Sequence, residues 1–273
     1  MKTFALAFGA GGARGLAHIA IVEALDEMGV APVAIAGVSI GAVIGAGYAA
    51  GLSGRAMRRH LIPLAHNRAE VMRRVMGARA VAWSELLSAG FGNPLVVDPL
   101  KFYDAFLGEL LPETFADLHI PFSAIAADLH AKETLVLTEG PLKPAVAASM
   151  AVPGLVQPLE VGGRVLIDGG ITDPLPFGCL RGKADVIVAV DVSGGSAERG
   201  GVPDPWDSLF SAINVMGHTI VSHKLKEGPP DLVLRPNIGI FRMLDFLQAS
   251  AILRASEPVK AELKEKLKGL LAA

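Results

Sequence analysis

Hydrophobic positions along the chain form short continuous runs that alternate with longer segments of helical periodicity. Phe4–Phe8 is an uninterrupted apolar run that predicts a strand, and residues 14–28 carry apolar side chains at helical spacing. Residues 33–38 and 40–50 repeat this order as a second strand and a helix of small residues. The beginning of the chain therefore predicts a β-α-β-α unit.

The same alternation continues to the end of the chain. Residues 55–111 predict irregular helix without a strand, and a Gly- and Pro-rich loop occupies 194–205. Alternating elements with near-continuous apolar strands indicate an α/β fold, with a mostly parallel central sheet and helices on both faces. The remaining predicted strands are 121–127, 135–138, 164–167, 184–190 and 231–235, and the remaining predicted helices are 141–150, 206–226 and 244–271, the last interrupted near Pro258.

Composition narrows the class of protein. The 273 residues are 51% hydrophobic and 19% charged, which is typical of an ordered chain, and they are enough for one large domain, so we expect a single domain over 1–273. The net charge of −2 gives no reason to expect a nucleic-acid partner. The single cysteine, Cys179, cannot form an internal disulfide, and we interpret it as a small core residue. A cytoplasmic location, peripheral to a membrane at most, is expected.

Residues 31–54 lack charged side chains over a length that could cross a bilayer. However, the segment contains six glycines and few large aliphatic residues, and it divides into the second predicted strand and the helix after it. We therefore expect a buried strand–turn–helix here rather than a membrane span.

The pentapeptide Gly37-Val38-Ser39-Ile40-Gly41 lies between that strand and that helix. A Gly-x-Ser-x-Gly sequence in this setting makes a sharp turn, and its two glycines let the chain pass without side-chain collisions. The helix that follows directs its first amides and its positive dipole end toward the serine. We expect Ser39 to be a nucleophile, and a simple helix cap is the alternative.

A second glycine-rich turn, residues 9–15, follows the first predicted strand. Its small residues leave backbone N–H groups free to converge on an anion. A dinucleotide-binding fingerprint is the alternative, but Arg14 stands where its third glycine belongs, and the second strand does not end in an acidic residue. Arg14 either orders the turn, attracts an anionic head group or is an ordinary surface residue. Because both turns follow strands of a parallel sheet, we expect them to face each other.

A serine nucleophile needs a proton acceptor within reach. His218 and His223 follow Asp168 in the chain, so a Ser–Asp–His triad stays open, although apolar spacing places both histidines on an amphipathic helix. Asp168 itself ends an apolar strand and precedes Gly169-Gly170. A partly apolar pocket would raise the pKa of Asp168 and make it a better base. A turn residue that bonds its own backbone is the alternative role.

No metal or cofactor is expected, because the chain has neither an H-E-x-x-H helix nor a cysteine cluster. A basic, apolar stretch between residues 55 and 79 is predicted to rest on an anionic membrane surface, or else to be a solvated helix packed on the sheet. Replacement of Arg58, Arg59, Arg73 and Arg74 by Gln would test the membrane alternative. The seven arginines of this stretch are Arg55, Arg58, Arg59, Arg68, Arg73, Arg74 and Arg79.

Three motifs together resemble the patatin-like phospholipase family: Gly11-Gly12-Ala13-Arg14-Gly15, Gly37-Val38-Ser39-Ile40-Gly41 and Asp168-Gly169-Gly170. The looser segments 127–129 and 148–154 add to the resemblance, which spans residues 3–192, and no family motif is evident in a helical insertion at about 55–115. Ala10 departs from the family, since many members have glycine there.

The resemblance implies a three-layer αβα fold and a Ser39–Asp168 catalytic dyad. It also implies oxyanion donors at Gly11, Gly12 and Ala13, with Arg14 in the family's basic position. The implied activity is hydrolysis of acyl lipid esters, and the implied partner is the lipid. A non-catalytic lipid-binding member, a histidine-dependent esterase and, more distantly, a nucleotide-binding protein are the alternatives. The lipid head group and the oligomeric state do not follow from the sequence.

Overall fold

The computed structural model describes residues 2–79, 96–108, 110–193, 202 and 205–272. Within these residues the strands are β1 (Phe4–Phe8), β2 (Ala34–Val38), β3 (Phe122–Asp128), β4 (Glu133–Leu137), β5 (Leu159–Val161), β6 (Arg164–Asp168), β7 (Val186–Val190) and β8 (Leu232–Leu234). The α-helices are α1 (His18–Met28), α2 (Ile40–Ala49), α3 (Gly54–His66), α4 (Arg68–Gly77), α5 (Pro99–Phe106), α6 (Leu142–Ser149), α7 (Pro205–Glu227), α8 (Ala249–Ser256) and α9 (Pro258–Ala272). Short 3₁₀ helices cover Gly12–Ala17, Phe115–Asp117, Gly169–Ile171, Phe177–Leu180 and Phe246–Gln248.

Every strand predicted from the sequence is confirmed, and β5 is an additional short strand. Two helix boundaries were wrong: the first predicted helix begins as 3₁₀ helix before α1, and residues 244–248 precede α8 instead of belonging to it. The uncharged segment 31–54 forms β2 and α2, as expected, and none of the described helices is long and apolar enough to cross a membrane. Residues 80–95 and 109 of the predicted insertion, and most of the Gly- and Pro-rich loop at 194–205, lie outside the described residues.

The strands form one eight-stranded mixed sheet in the order β5-β6-β3-β2-β1-β7-β8, with β4 on the other side of β3. The pairs among β3, β2, β1, β7 and β8 are parallel, whereas β4, β5 and β6 join in antiparallel pairs. The prediction of a mostly parallel α/β sheet is therefore right for its centre.

The side chains of β1 point alternately to the two faces of the sheet and contribute to the core on each face. Phe4, Leu6 and Phe8 point into the large core cluster with α1, α2, α8 and α9, while Ala5 and Ala7 face a smaller cluster. This smaller cluster contains side chains of the 3₁₀ helix Phe177–Leu180 and Val221 of α7. Because successive strand residues point to opposite faces, one strand serves both cores, and the expected three-layer arrangement is present.

Strands β2 and β6 meet end to end along one edge of β3. Val38, the last residue of β2, pairs with Ile125, and Asp168, the last residue of β6, pairs with the next residue, Ala126. β2 runs parallel to β3 and β6 runs antiparallel to it, so both strands end at the same place from opposite directions. The residue that follows β2, Ser39, is thereby brought to Asp168.

Candidate active site

Ser39 occupies the sharp turn that the sequence predicted between β2 and α2. Its backbone has φ 57° and ψ −127°, a strained conformation for a residue with a side chain. The turn needs glycine on both sides, since a Cβ on Gly37 would lie 2.3 Å from the Gly41 carbonyl oxygen, and one on Gly41 would lie 2.4 Å from that of Phe8. α2 begins at Ile40, so its N-terminal end is directed at Ser39.

The backbone N–H of Ser39 donates to the hydroxyl of Ser149 at 2.9 Å, and that hydroxyl donates to the Ile125 carbonyl at 2.6 Å. Ser149 is the last residue of α6 and is fully buried. The sequence drew attention to the segment 148–154 without indicating this contact.

Asp168 is 5% exposed, and burial raises the pKa of its carboxyl group to about 6. Hydrogen bonds from the Ser39 side chain and from the N–H of Gly170 lower the pKa but do not offset burial, and the Gly170 bond is 2.7 Å long. The Asp168 N–H is held at 3.0 Å by the Ala151 carbonyl. The carboxylate is therefore fixed in position, and near neutral pH it is a stronger base than an exposed aspartate.

The glycine-rich turn lies beside the serine. Gly15 packs against Ile40, where a Cβ would lie 2.0 Å from the Ile40 Cγ2, so the turn approaches the start of α2 closely. Gly11 and Gly12 line the same cavity as Ser39, and within the described part of the chain their N–H groups donate to no other group. The Ala13 N–H instead donates to the Met243 carbonyl at 2.7 Å. Two of the three predicted amide donors thus have no acceptor among the described residues and belong to residues that line the cavity.

Arg14 is buried and bonds to protein groups on three sides. Its guanidinium donates to Asn214 Oδ1 at 2.6 Å, to the Ser193 carbonyl at 3.2 Å and to the Gly11 carbonyl at 3.4 Å. Of the roles considered for Arg14, this arrangement favours ordering of the glycine-rich turn. His18 lies beneath the same turn, with Nε2 2.9 Å from the Gly9 carbonyl, and burial lowers its pKa to about 4, so it is a neutral donor.

Ser39 and Asp168 open onto one narrow cavity of about 60 Å³. Its walls are mainly apolar, and they come from the loops after β1 and β6, from α7 and from the segment before α8. Small polar groups and hydrophobic side chains line it together, as in sites that bind an apolar molecule with a single reactive group. The lining residues are Ala10, Gly11, Gly12, Ser39, Val152, Pro153, Asp168, Gly170, Ile171, Pro174, Ser193, Ile213, Asn214, Gly217 and Met243.

The two candidate triad histidines do not line this cavity. His218 and His223 are exposed on α7, whereas Ile213, Asn214 and Gly217 of the same helix face the cavity. Cys179 also lies elsewhere: its Sγ contacts the Pro176 carbonyl at 3.1 Å, and burial raises the pKa of its thiol. Among the described residues, His, Cys, Asp and Glu side chains form no group of three or more that could hold a metal ion.

Two contributions to this site had no signal in the sequence. Met243 lies about 230 residues from the turn it covers, in a segment that the sequence assigned to the edge of a helix. The sequence also did not indicate that β6 is antiparallel to β3, because an apolar run has the same pattern in parallel and in antiparallel strands. Ser149 lies in the segment 148–154, which the resemblance to the family had pointed out, but the sequence does not show that its hydroxyl is buried against Ser39.

Comparison with known proteins places this geometry in context. A family model described as patatin-like phospholipase matches residues 6–180. An NTE family protein of Mycobacterium tuberculosis is 39% identical over 194 residues, which cover 71% of this chain and 50% of that protein. The patatin-like phospholipase domain-containing protein 7 of mouse is 30% identical over 90% of this chain and 19% of its own length.

Lysophospholipase NTE1 of the fungus Coccidioides immitis is 28% identical over 98% of this chain and 18% of its own length. The chain thus spans half the length of the mycobacterial relative and about a fifth of the mouse and fungal ones. Among solved structures, VipD from Legionella pneumophila superposes with a TM-score of 0.52 at 15% identity, covering 96% of this chain and 66% of that one. This last likeness concerns the fold.

Proposed function

Since the chain belongs to the patatin-like phospholipase family, and is thus a lipid hydrolase in general terms, we propose that it is a serine acyl hydrolase with a Ser39–Asp168 dyad. The observation that carries the proposal is the convergence of Ser39, Asp168 and two unused amides on one cavity. Each of these groups has a distinct task in ester hydrolysis, and none of them requires a metal ion.

In the first half of the reaction, Asp168 accepts the Ser39 proton while the Ser39 oxygen attacks the ester carbonyl carbon. The amides of Gly11 and Gly12 hold the negative oxygen that develops, and each such donor lowers the barrier by about 3 kcal/mol. The Ala13 amide joins them only if the Met243 carbonyl moves away. The tetrahedral intermediate then collapses, the ester C–O bond breaks, and Asp168 returns the proton to the leaving alcohol.

In the second half, Asp168 takes a proton from water, and the hydroxide attacks the acyl-enzyme. Collapse releases the fatty acid and restores the Ser39 hydroxyl with the proton held by Asp168. An aspartate whose pKa is about 6 can both accept and return the proton, because it is mostly charged at neutral pH yet accepts a proton more readily than an ordinary aspartate.

Purified wild type, Ser39→Ala and Asp168→Asn proteins assayed with a short p-nitrophenyl ester and a fluorophosphonate probe test this mechanism. Both variants should fold and lose turnover, and the probe should label Ser39 alone. Ser250→Ala is a suitable control, because the half-buried Ser250 has its hydroxyl 3.2 Å from Nε2 of His66 and does not line the cavity that holds Ser39 and Asp168. Labelled protein after Ser39→Ala would refute the proposal, and an unlabelled wild type would favour a non-catalytic lipid-binding member.

The substrate we propose to assay first is a lysophospholipid, because a relative carries the name lysophospholipase. A panel of lysophospholipid, diacyl phospholipid, neutral lipid and acyl thioester, with Ser39→Ala as the blank, would identify the leaving group. Equal rates on all four would show that the cavity does not select among them.

We also propose peripheral contact between helices α3 and α4 and an anionic membrane. Three arginines there, Arg55, Arg59 and Arg68, are exposed and form no ion pair within the described part of the chain. Met72 is 61% exposed and Met76 39% exposed on α4, so apolar groups accompany the charges. Such a surface binds acidic lipid head groups while its apolar side chains enter the interface.

The ion pairs of the other arginines sharpen the test. Arg58 bonds Glu23 at 2.6 Å, and Arg73 and Arg74 both bond Glu70 at 2.7 Å, so these three charges already have partners. The informative variant is therefore Arg55, Arg59 and Arg68 to Gln. Its control of equal charge is Lys183, Lys226 and Lys268 to Gln, three exposed lysines that also form no ion pair with the described residues. Cosedimentation with phosphatidylserine vesicles should fall only in the arginine variant, and equal binding of both variants would contradict the contact.

A further inference from the structure

Ser149 places its hydroxyl between two strands at the point where β2 leaves the sheet. The hydroxyl accepts from the Ser39 N–H at 2.9 Å and donates to the Ile125 carbonyl at 2.6 Å. Ser149 is fully buried, so water does not compete for either bond. Both hydrogen-bonding directions of the hydroxyl are used.

The position of this hydroxyl follows from the register of the sheet. The β2–β3 ladder ends at the pair Val38–Ile125, and Ser39 then turns away with φ 57°. A buried N–H that leaves its ladder destabilises the fold if it finds no partner. Ser149 supplies that partner and links the N–H to the carbonyl of Ile125. The strained turn is therefore held to β3 through a side chain from α6.

The same short segment also holds the second member of the proposed dyad. Two residues after Ser149, the Ala151 carbonyl accepts the Asp168 N–H at 3.0 Å. Ser39 and Asp168 follow or end strands that approach from opposite directions, and 128 residues of chain lie between them. The segment 149–151 touches the backbone of both, one contact each.

We propose that Ser149 is a positioning residue for the hydrolysis proposed above, and that its hydroxyl sets the distance between the Ser39 oxygen and the Asp168 carboxylate. Without it, the Ser39 turn relaxes away from β3 and the hydroxyl loses its alignment with Asp168. Ser149 does not contact the substrate. Its effect is exerted through Ser39, and so this inference rests on the proposed function.

Ser149→Ala is the variant that tests the inference. Because a displacement of about 1 Å can slow a reaction roughly 100-fold, we expect kcat to fall by about 10- to 100-fold while KM stays within about twofold. Fluorophosphonate labelling of Ser39 should slow by a similar factor. The acid limb of the pH profile should also move to higher pH, because the Ser39 hydrogen bond that lowers the pKa of Asp168 is weakened.

Ser256→Ala is the matched control. Ser256 is also fully buried, and its hydroxyl donates to a carbonyl, that of Ile252, at 2.7 Å. The control should lose a similar amount of stability and keep kcat, the labelling rate and the pH profile of the wild type. If Ser149→Ala lowers the melting temperature as Ser256→Ala does and leaves those three quantities unchanged, Ser149 is a packing residue and the inference is wrong.

Ser39→Ala separates the two proposals. Loss of turnover in Ser39→Ala together with an unaffected Ser149→Ala overturns the role of Ser149 alone, whereas turnover that survives Ser39→Ala overturns the proposed function. Should Ser149→Ala fail to fold, Ser149→Cys replaces it, since a thiol has a similar size but is a weaker donor and acceptor. The expected slowing and the overturning result are the same for that variant.

Discussion

Replacement of Asp168 by Asn is expected to stabilise the protein while it abolishes turnover. The Asp168 carboxyl is buried, and its charged form is disfavoured by that burial more than its hydrogen bonds with Ser39 and Gly170 favour it. Asparagine has the same shape and keeps an oxygen that can accept from the Gly170 N–H. It carries no charge, and so it avoids the unfavourable burial.

The magnitude follows from the pKa of Asp168, which is 3.8 for the ordinary side chain and about 6 in the folded protein. Well below pH 4 the carboxyl is neutral in both folded and unfolded chains, and no penalty arises. As the pH rises from about 4 to 6, the unfolded chain has lost this proton while the folded chain still holds it, so the free energy of unfolding decreases. Above pH 6 both chains have lost the proton and the decrease is complete; at about 1.4 kcal/mol per pKa unit it amounts to about 3 kcal/mol.

Urea unfolding of the wild type and Asp168→Asn at pH 7.5 and at pH 4 measures this difference. The variant should be more stable by about 3 kcal/mol at pH 7.5, equivalent to a melting temperature roughly 6 °C higher, and the difference should shrink to about 0.5 kcal/mol at pH 4. Asp128→Asn is a control at equal burial, since Asp128 is also 5% exposed, but backbone hydrogen bonds hold its pKa low. It should lose stability at pH 7.5. A pH-independent difference for Asp168→Asn would refute the reasoning.

Three further outcomes follow from the same geometry. The kcat/KM of ester hydrolysis should fall on acidification with a midpoint near pH 6, because the base must be charged, and a midpoint below pH 5 would exclude Asp168 with its raised pKa. The double variant His218→Ala/His223→Ala should keep kcat/KM within about twofold, whereas a loss of 100-fold or more would restore the triad. Gly41→Ala should cost more than about 3 kcal/mol of unfolding free energy, because its Cβ would lie 2.4 Å from the Phe8 carbonyl oxygen. Gly77→Ala, whose added Cβ would meet no described atom within 4 Å beyond the adjacent backbone of its own helix, should be neutral or stabilising, and equal stability of the two variants would contradict this account.

Most of the fold could be read from the sequence because its strands are buried and short. Continuous apolar runs such as Val186–Val190 are typical of strands covered on both faces, and the structure places that run inside the sheet, between β1 and β8. The glycine-rich turns were equally informative, because Gly37 and Gly41 are required by backbone contacts that no other residue permits. Local chemistry thus identified Ser39, Asp168 and the turn beside them as neighbours.

What the sequence could not provide were contacts between distant segments. The Met243 carbonyl accepts a hydrogen bond from the Ala13 N–H. Glu23 and Glu257 both bond the guanidinium of Arg58, and each of these partners is remote in the chain. Hydrophobic periodicity reports which face of an element is buried and not which residue covers it. For this reason the sequence did not show that Arg58 is already paired, nor that the Ala13 N–H, one of the predicted amide donors, bonds elsewhere.

The end-to-end junction of β2 and β6 has a consequence for how the protein acquires activity. Residues 39 and 168 can approach only after β2 and β6 have both docked on β3, so their meeting joins positions that lie 129 residues apart in the chain. Collapse and helix formation can precede this docking without creating a reactive serine. In a refolding experiment, the return of fluorophosphonate reactivity would therefore lag behind the return of helical circular dichroism, and a single amino-acid side chain would report that both strands have docked.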